Sequence, residues 1–297
     1  MIDDKLDRII ELLQQENQLL HEINRNTRLE LQCVTAKYRQ EILLQPRYQE
    51  EKRLVRYGAK IFSQNDEDGI LREIFKRIST ESKTFFEFGA HTTENNSLAL
   101  LADGWKGTWL DGNPSTISHM QSEYQTFIEQ GQLNVQQAFI TKHNINELLE
   151  KYALSPDLDL LSIDVDGNEL YIWKAINPSF KPRVIVVEYN ALYPPPIVFI
   201  QKDEPEKVWD GSSYVGVSLK PLEILAEQKG YALVGCNFNG VNAFFVRKDL
   251  LGDHFAAPYT SENHYEPIRY TVFYSLGWAG LHNVGHASRL RPFENQV

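Results

Sequence analysis

The sequence predicts an α/β fold with a mostly parallel sheet that is closed by an antiparallel hairpin. Two short apolar runs, 158–163 and 184–187, are separated by a helix-length segment, as in a βαβ unit. Asn239-Gly240 stands between two further apolar runs and is the strongest two-residue hairpin signal. Residues 1–35 contain neither Gly nor Pro, so we expect a long helix before the sheet.

Strand and helix patterns alternate along the chain. The predicted helices are 64–78 with Ser63 as its cap, 94–102, 116–129, 144–152, the segment up to Ile176, and the segment between Ser218 and Gly230. The predicted strands are 84–90, 107–111, 134–140, 160–165, 184–189, 231–238 and 241–247. Five βα units closed by a hairpin are the layout of a Rossmann-like class I methyltransferase sheet, whereas a dehydrogenase more often ends in further parallel strands.

Composition limits the classes of partner. The chain has 297 residues, enough for one large domain with an appendage or for two domains. A net charge of −10 argues against a nucleic-acid partner and against a polybasic membrane anchor. The two cysteines, Cys33 and Cys236, suggest a reducing compartment. With no signal-peptide pattern and no long apolar run, we expect a cytoplasmic protein without a membrane span.

The N-terminal segment has a heptad pattern. Leucines and one threonine recur every seven residues, and each is followed four residues later by a second position of the seam: Leu6, Leu13, Leu20 and Thr27, then Ile10, Asn17, Asn24 and Leu31. Two Asn at a-type positions favour a coiled coil, and hence a homo-oligomer from dimer to tetramer. A competing register uses Ile9, Glu16 and Ile23, and the alternative is an amphipathic helix that packs on its own domain.

Glycine and acidic residues mark a cofactor corner. The first predicted strand ends in Glu87, Phe88, Gly89 and Ala90, and Asp111 follows 22 positions after Gly89, with Gly112 next to it. A carboxylate at that distance suits ribose hydroxyls, and glycine lets a cofactor approach the backbone. Glu94, Asn95 and Asn96 open the next helix, where free N–H groups can bind a carboxylate. The G-x-G-x-x-G spacing is absent, and a purely structural glycine is the alternative.

Several segments resemble FkbM-type S-adenosylmethionine-dependent methyltransferases, in particular bacterial members associated with surface-polysaccharide genes. They include FSQNDEDGIL (62–71), FFEFGA (85–90), LDLLSIDVDGNELYIWKAI (158–176) and PRVIVVEYNALY (182–193), and the resemblance covers roughly residues 60–250. It implies a cofactor, S-adenosyl-L-methionine, and places these residues near it: Gln64, Asn65, Asp68, Glu87, Gly89, Asp111, Ile140, Thr141 and Asp164. In this family the first loop usually carries further glycines, whereas this chain has His91-Thr92-Thr93.

On this basis the chain divides into four parts. Residues 1–35 are expected to form the coiled-coil helix, and residues 36–60 a charged linker that contains Pro46 and Gly58. Residues 61–250 form the methyltransferase domain, and residues 251–297 are a tail expected to pack on it. These bounds are predictions from pattern and composition.

Polar groups follow the two apolar runs at the expected carboxyl edge of the sheet, where ligands of open α/β sheets bind. Asp164, Glu188 and Asn190 offer hard oxygen ligands for Mg²⁺ or another divalent cation such as Ca²⁺. Methyl transfer to an alcohol needs a base or a metal, and Asp166 and His91 are the candidate bases. The alternative is structural, with Asp166 and Asn168 capping the next helix and Asp164 holding loop amides.

The acceptor site is expected in the segment 191–217, which three prolines stiffen at its start. Tyr193, Trp209 and Tyr214 are candidates to stack on a sugar ring, or simply to pack this acceptor loop on the sheet. Three arginines of the tail are candidates for a nucleotide-sugar diphosphate or for surface carboxylates: Arg269, Arg289 and Arg291.

The predicted function is O-methylation of a sugar hydroxyl, on a nucleotide sugar or a glycan, in capsule or surface-polysaccharide biosynthesis. The sugar class is implied by the resemblance alone. Two alternatives remain: an O-methyltransferase for a lipid, polyketide or other small molecule, and a non-catalytic Rossmann-like scaffold that works through its coiled coil. His91-Thr92-Thr93 favours the scaffold, whereas Asp111, Asp164 and Glu188 favour an enzyme.

Overall fold

The computed structural model describes residues 2–205 and 211–269. The strands are β1 (Thr84–Phe88), β2 (Lys106–Asp111), β3 (Leu133–Gln137), β4 (Leu160–Ile163), β5 (Val184–Glu188), β6 (Tyr231–Cys236) and β7 (Asn242–Arg247). They form one sheet in the order β3-β2-β1-β4-β5-β7-β6. β1 to β5 pair in parallel, and β7 lies antiparallel between β5 and β6. The predicted sheet, parallel with a closing antiparallel hairpin, is confirmed.

Helices cover both faces of the sheet. Within the described residues they are α1 (Ile2–Leu43), α2 (Glu67–Ile78), α3 (Leu98–Ala102), α4 (Pro114–Glu123), α5 (Gln125–Glu129), α6 (Ile145–Tyr152), α7 (Glu169–Ala175), α8 (Leu219–Lys229) and α9 (Ser261–His264). Side chains alternate along each strand, so Phe85 packs with α2, α3 and α4, whereas Phe86 packs with α6, α7 and α8. None of the described helices has an apolar stretch long enough to cross a membrane.

Several elements are shorter than the sequence predicts. The first and fourth strands end two residues earlier than predicted, the third ends three residues earlier and the fifth one residue earlier. At these points the chain turns into the loops of the carboxyl edge. The predicted helix 116–129 is divided into α4 and α5 at Tyr124. The Tyr124 hydroxyl donates to the Thr92 carbonyl at 2.7 Å, and its ring lies 4.9 Å from the Trp109 ring. These tertiary contacts override a local preference for one helix.

The N-terminal helix α1 meets the domain only near its end. Arg39 donates to the Gly58 carbonyl at 2.7 Å, and Ile42 and Leu43 pack beside buried Tyr48. Beyond it, residues expected to form a linker contain two short 3-10 helices, Pro46–Tyr48 and Leu54–Tyr57, which bury apolar side chains. Residues 251–269 pack on the domain through α9 and buried Phe255. Residues 270–297 lie outside the described part of the chain.

Glu87 at the end of β1 fixes where α3 begins. Its buried carboxylate accepts the N–H groups of Asn96 at 2.8 Å and Ser97 at 3.1 Å, and also the Ser97 hydroxyl. These bonds hold the preceding segment as a loop, so α3 begins at Leu98 and not at 94 as predicted. Burial raises the pKa of Glu87 from 4.5 to about 7, although the hydrogen bonds oppose this shift.

Gly89 allows β1 and β4 to come together at their carboxyl ends. Its φ is +70°, a left-handed conformation that glycine adopts without strain. A Cβ at this position would lie 1.5 Å from the Asp164 carbonyl oxygen. The backbone after β1 therefore touches the backbone after β4, and only glycine fits between them.

We expect Gly89→Ala to destabilise the domain more than Gly104→Ala. Gly104 also has a positive φ, +83°, but a Cβ there would meet no atom within 4 Å. Both variants incur left-handed strain of about 1–2 kcal/mol, and Gly89→Ala adds about 1–3 kcal/mol of overpacking against Asp164. Urea unfolding measures the difference, and equal losses in the two variants would contradict the close contact.

We expect stability to fall with rising pH because of Glu87. Its pKa is 4.5 in ordinary surroundings and about 7 in the fold, so between these values the folded state keeps a proton that the unfolded state releases. The contribution of Glu87 to the free energy of unfolding is therefore greatest below pH 4.5. It falls by at most about 1.4 kcal/mol per pH unit as the pH rises and levels off above about pH 7. Urea unfolding across about pH 4–8 should give a smaller slope for Glu87→Gln than for the native protein. Glu94→Gln, at an exposed position, should keep the native slope.

Candidate functional site

The candidate site lies at the carboxyl edge formed by β2, β1, β4 and β5. Register pairs Phe88 with Leu110 and with Ile163, and Ile163 with Val187. The residues that follow these strands are therefore neighbours across the sheet edge. This edge gathers Gly89, Asp111, Asp164 and Glu188, as the sequence predicts.

Three carboxylates converge after β4 and β5. Asp164, Asp166 and Glu188 each offer an oxygen, and these oxygens lie within 4.8 Å of one another. The sequence-based set names Asn190 where the structure brings in Asp166. The Asn190 amide donates to the carbonyls of Ser213 and Val215, both at 2.9 Å. Asn190 therefore fastens the acceptor loop through its amide nitrogen.

Burial and mutual repulsion shape the protonation of this cluster. Burial raises the pKa values of both Asp164 and Glu188 well above their usual range, and neighbouring carboxylates raise them further. Their side chains hydrogen-bond to each other, which opposes the rise for Asp164 and adds to it for Glu188. The two carboxyl groups therefore titrate as a coupled pair, and both favour the protonated form.

Asp166 is presented by an unusual backbone. Its φ of +57° is in the left-handed region, which is rare for residues other than glycine and recurs at functional sites. The residue is solvent-exposed, yet desolvation by its loop raises the pKa of its carboxyl group, and Asp111 raises it further. A reachable carboxylate with a raised pKa has the properties of a general base.

Glu169 performs the loop-holding role that the structural alternative gave to Asp164. Glu169 is buried and accepts the N–H groups of Val165 at 3.2 Å and Gly167 at 2.7 Å. Asn168 is at the N-cap of α7 but makes no capping bond with its side chain. The second oxygen of Glu169 is buried without a partner. Sequence reasoning missed this residue, although an acidic residue in a first helical turn is a usable signal.

Asp111 and His91 share the cofactor corner. Asp111 is partly buried and accepts the Asn113 N–H at 2.7 Å. Burial raises the pKa of Asp111, while the Asn113 and Gly112 amides and the charge of His91 lower it. His91 is exposed, and its effect on the pKa of Asp111 puts it on the Asp111 side of the edge.

The loop after Gly89 is closed by Asn95. Its buried amide accepts the His91 N–H at 2.6 Å and donates to the His91 carbonyl at 2.7 Å. Glu94 is exposed and pairs with Lys60 at 3.2 Å. The N–H group of Asn96, expected to be free for a ligand carboxylate, is already bonded to Glu87, as is that of Ser97. Phe88 and Ala90 are buried, so they support this corner from beneath.

The segment before α2 wraps around Asp68. One oxygen of this buried carboxylate accepts three consecutive N–H groups, those of Ile61, Phe62 and Ser63, at 2.7, 2.7 and 2.9 Å. The other oxygen is buried without a partner. Asp68 also raises the pKa of Glu87, so the two carboxylates are close.

Gln64 and Asn65 belong to the same segment and differ in exposure. Asn65 is buried and accepts the Asn239 amide at 2.9 Å, whereas Gln64 is only partly buried. Of the two, Gln64 is the one whose side chain a ligand can reach.

An exposed aromatic ring lies at the end of β3. Phe139 is 50% exposed, and its ring carbon would be 3.2 Å from a Cβ at Gly112. Ile140 next to it is buried, and Thr141 donates its N–H to Asn144 at 2.8 Å. Sequence reasoning missed Phe139, because an apolar residue in a strand pattern is expected to be buried.

The acceptor loop carries an aromatic cluster. The Tyr193 ring is stacked on Phe199 with centroids 4.0 Å apart, and Phe199 meets Tyr214 edge-on at 5.4 Å. The structure thus brings Tyr193 and Tyr214 together through Phe199, which sequence reasoning did not name. Trp209 lies outside the described residues.

The one described arginine of the three expected at a diphosphate is held by the protein. Arg269 pairs with Glu266 at 2.9 Å and lies 4.4 Å over the Phe238 ring. Arg269 therefore binds a carboxylate of the protein, as the alternative expected, but this carboxylate is buried and does not lie on the surface. Arg289 and Arg291 lie outside the described residues.

Comparisons with solved structures find methyltransferase folds. A protein assigned as a caffeoyl-CoA O-methyltransferase from Staphylococcus aureus is 15% identical with a TM-score of 0.43, over 65% of this chain and 87% of its own. A magnesium protoporphyrin IX methyltransferase from Synechocystis is 9% identical with a TM-score of 0.40, over 62% and 79%. A precorrin-6y C5,15-methyltransferase from Geobacter metallireducens is 15% identical with a TM-score of 0.37, over 64% and 90%.

Neither a protein-family model nor a curated protein matches the chain. TM-scores of 0.43 and below carry no statement about activity. The fold class therefore rests on the strand order of the sheet itself, which is that of class I methyltransferases.

Proposed function

We propose that this chain is an S-adenosylmethionine-dependent O-methyltransferase that acts on a sugar hydroxyl of a nucleotide sugar or glycan, in capsule or surface-polysaccharide biosynthesis. The observation that carries the proposal is the set of carboxylates along one sheet edge: Asp111 after β2, Asp164 and Asp166 after β4, and Glu188 at the end of β5. The sugar class is supported by the resemblance of residues 60–250 to the FkbM-type family.

The residues of the corner fit the three chemical parts of the cofactor. Asp111 suits a ribose diol, because a carboxylate accepts from both hydroxyls. The exposed ring of Phe139 suits an adenine face. The unpartnered buried oxygen of Asp68 suits an ammonium group. When bound, S-adenosylmethionine supplies a methyl group on a positively charged sulfur, which an oxygen nucleophile attacks.

On the acceptor side, the chain's own residues orient the hydroxyl and take its proton. With the cofactor bound, the acceptor oxygen would take the methyl group, the sulfur would leave as a neutral thioether, and the Asp166 carboxylate would accept the hydroxyl proton. The raised pKa values of Glu188 and Asp164 favour protonated carboxyl groups, which can both donate to and accept from neighbouring hydroxyls. Tyr193, Phe199 and Tyr214 offer ring faces for a sugar and exclude water from the reacting atoms.

A divalent cation fits the same cluster. Asp164, Asp166 and Glu188 provide three hard oxygen donors within 4.8 Å of one another, a set suited to Mg²⁺. A cation there would lower the pKa of a nearby hydroxyl. Full methylation by protein freed of metal with EDTA would rule out this part of the proposal and leave Asp166 as the base.

We expect the protein to bind S-adenosylmethionine, as measured by calorimetry. Asp111→Asn should weaken binding about 10- to 100-fold, because hydrogen bonds to a charged group are worth about 1.5–3 kcal/mol. Phe139→Ala should weaken it to a similar extent, because stacking on a base is worth about 1–3 kcal/mol. Leu154→Ala, equally exposed but before β4 at the opposite edge, is the matched control. No binding by the native protein at millimolar cofactor would refute the enzyme and favour the scaffold.

We expect Asp166→Asn to lower kcat about 100-fold or more while KM changes little, because a general base acts mainly in the transition state. The assay is release of S-adenosylhomocysteine with nucleotide sugars, short glycans, and lipid or polyketide alcohols as acceptors. Asp157→Asn, an exposed carboxylate before β4, should retain native activity. A native kcat in Asp166→Asn would remove Asp166 as the base, and transfer to lipid alcohols alone would contradict the sugar class.

A further inference from the structure

The N-terminal helix has an apolar face that no other part of the described chain covers. From residue 5 to residue 30 every position of α1 is exposed, and the first part-buried positions are Leu31, Thr35 and Arg39. The exposed face includes large apolar side chains that a soluble monomer rarely presents in a contiguous row. They are Leu6, Ile9, Ile10, Leu13, Leu20 and Ile23.

We propose that α1 pairs with α1 of a second copy as a parallel, in-register, two-stranded coiled coil from Leu6 to Val34. The seam has d positions at Leu6, Leu13, Leu20, Thr27 and Val34, and a positions at Ile10, Asn17, Asn24 and Leu31. The inference is independent of the proposed function, because it rests only on α1.

The two asparagines decide the direction of the helices. In a parallel in-register pair each a residue faces its own counterpart, so Asn17 meets Asn17 and Asn24 meets Asn24, and each pair exchanges amide hydrogen bonds. In an antiparallel pair each a residue faces a d residue. Thr27 is the only polar d residue, so at least one Asn in each chain would lie unpaired against leucine or valine. An unpaired buried amide costs free energy, which disfavours that arrangement.

The flanking positions agree with the parallel register. In this register each g residue approaches the e residue five positions later on the partner, which joins Glu16 to the partner's His21. Ile9 faces the partner's Gln14, Ile23 faces Arg28, and Glu30 faces Thr35. None of these four pairings places like charges together. Ile9 and Ile23 at g positions widen the apolar surface and so favour a coiled coil of three helices. The Asn17 and Asn24 layers oppose this effect, because Asn at a positions favours two helices.

The oligomeric mass of the full-length protein tests the seam. We expect twice the mass of the 34.3 kDa chain by light scattering and sedimentation. Leu13→Glu with Leu20→Glu should give a monomer with an unchanged melting temperature of the domain. Leu12→Glu with Leu19→Glu is the matched control, because these leucines lie at outer c positions of the heptad. Their side chains are 49% and 59% exposed, close to the 53% and 50% of Leu13 and Leu20.

A monomeric native protein, a trimer or tetramer, or a dimer that survives the seam substitutions would each overturn the proposal. Loss of the dimer in the control variant as well would also overturn it, because the pairing would then not follow the heptad.

Disulfide capture tests the direction. Leu6→Cys in a Cys33→Ser background should cross-link into a covalent dimer under mild oxidation, because parallel helices place both copies of residue 6 side by side. Cys236 is buried and does not compete. In an antiparallel pair the two sulfurs would be separated by most of the coiled coil. A dimer by mass that does not cross-link would therefore refute the parallel register.

Discussion

The contact between Gly89 and the Asp164 carbonyl is the constraint on which the candidate site depends. It joins the loop after β1 to the loop after β4, and a Cβ at Gly89 would lie 1.5 Å from that oxygen. Because the two backbones touch, the Asp111 corner and the acidic cluster are held on one continuous edge. A methyl donor and an acceptor must be a bond length apart in the transition state, and this contact brings their expected sites together.

The edge concentrates like charges at a cost that the surrounding loops reduce. Both oxygens of Glu87 and one oxygen of Asp68 accept backbone N–H groups, which replace water for these buried carboxylates. Asp164 and Glu188 hydrogen-bond to each other, and their raised pKa values favour the neutral forms that reduce the repulsion. A cluster of like charges is costly to hold, and raised pKa values such as these are concentrated at functional sites of proteins.

The sequence predicts the sheet well because burial in a parallel sheet leaves a direct signal in the apolar runs. It predicts loop geometry less well, because side chains from distant segments decide it. Glu87 delays the start of α3, and the Asn190 amide nitrogen fastens the acceptor loop. The left-handed φ of Asp166 is likewise a tertiary property. Phe139 could not be found from pattern alone, since its exposure depends on what covers the end of β3.

An ion pair connects the N-terminal helix α1 to the segment that precedes α2. Arg39 of α1 lies 3.6 Å from Asp66, whose buried carboxylate also accepts the Phe238 N–H at 3.1 Å. Asp66 is the N-cap residue of α2 and stands between Asn65 and Asp68, in the segment that wraps before the cofactor corner. Burial raises its pKa to about 7, and Arg39 opposes that rise. The charge of Arg39 on α1 thus stabilises the ionised form of Asp66. The helix proposed to pair two copies is therefore also part of the local structure that supports the candidate site.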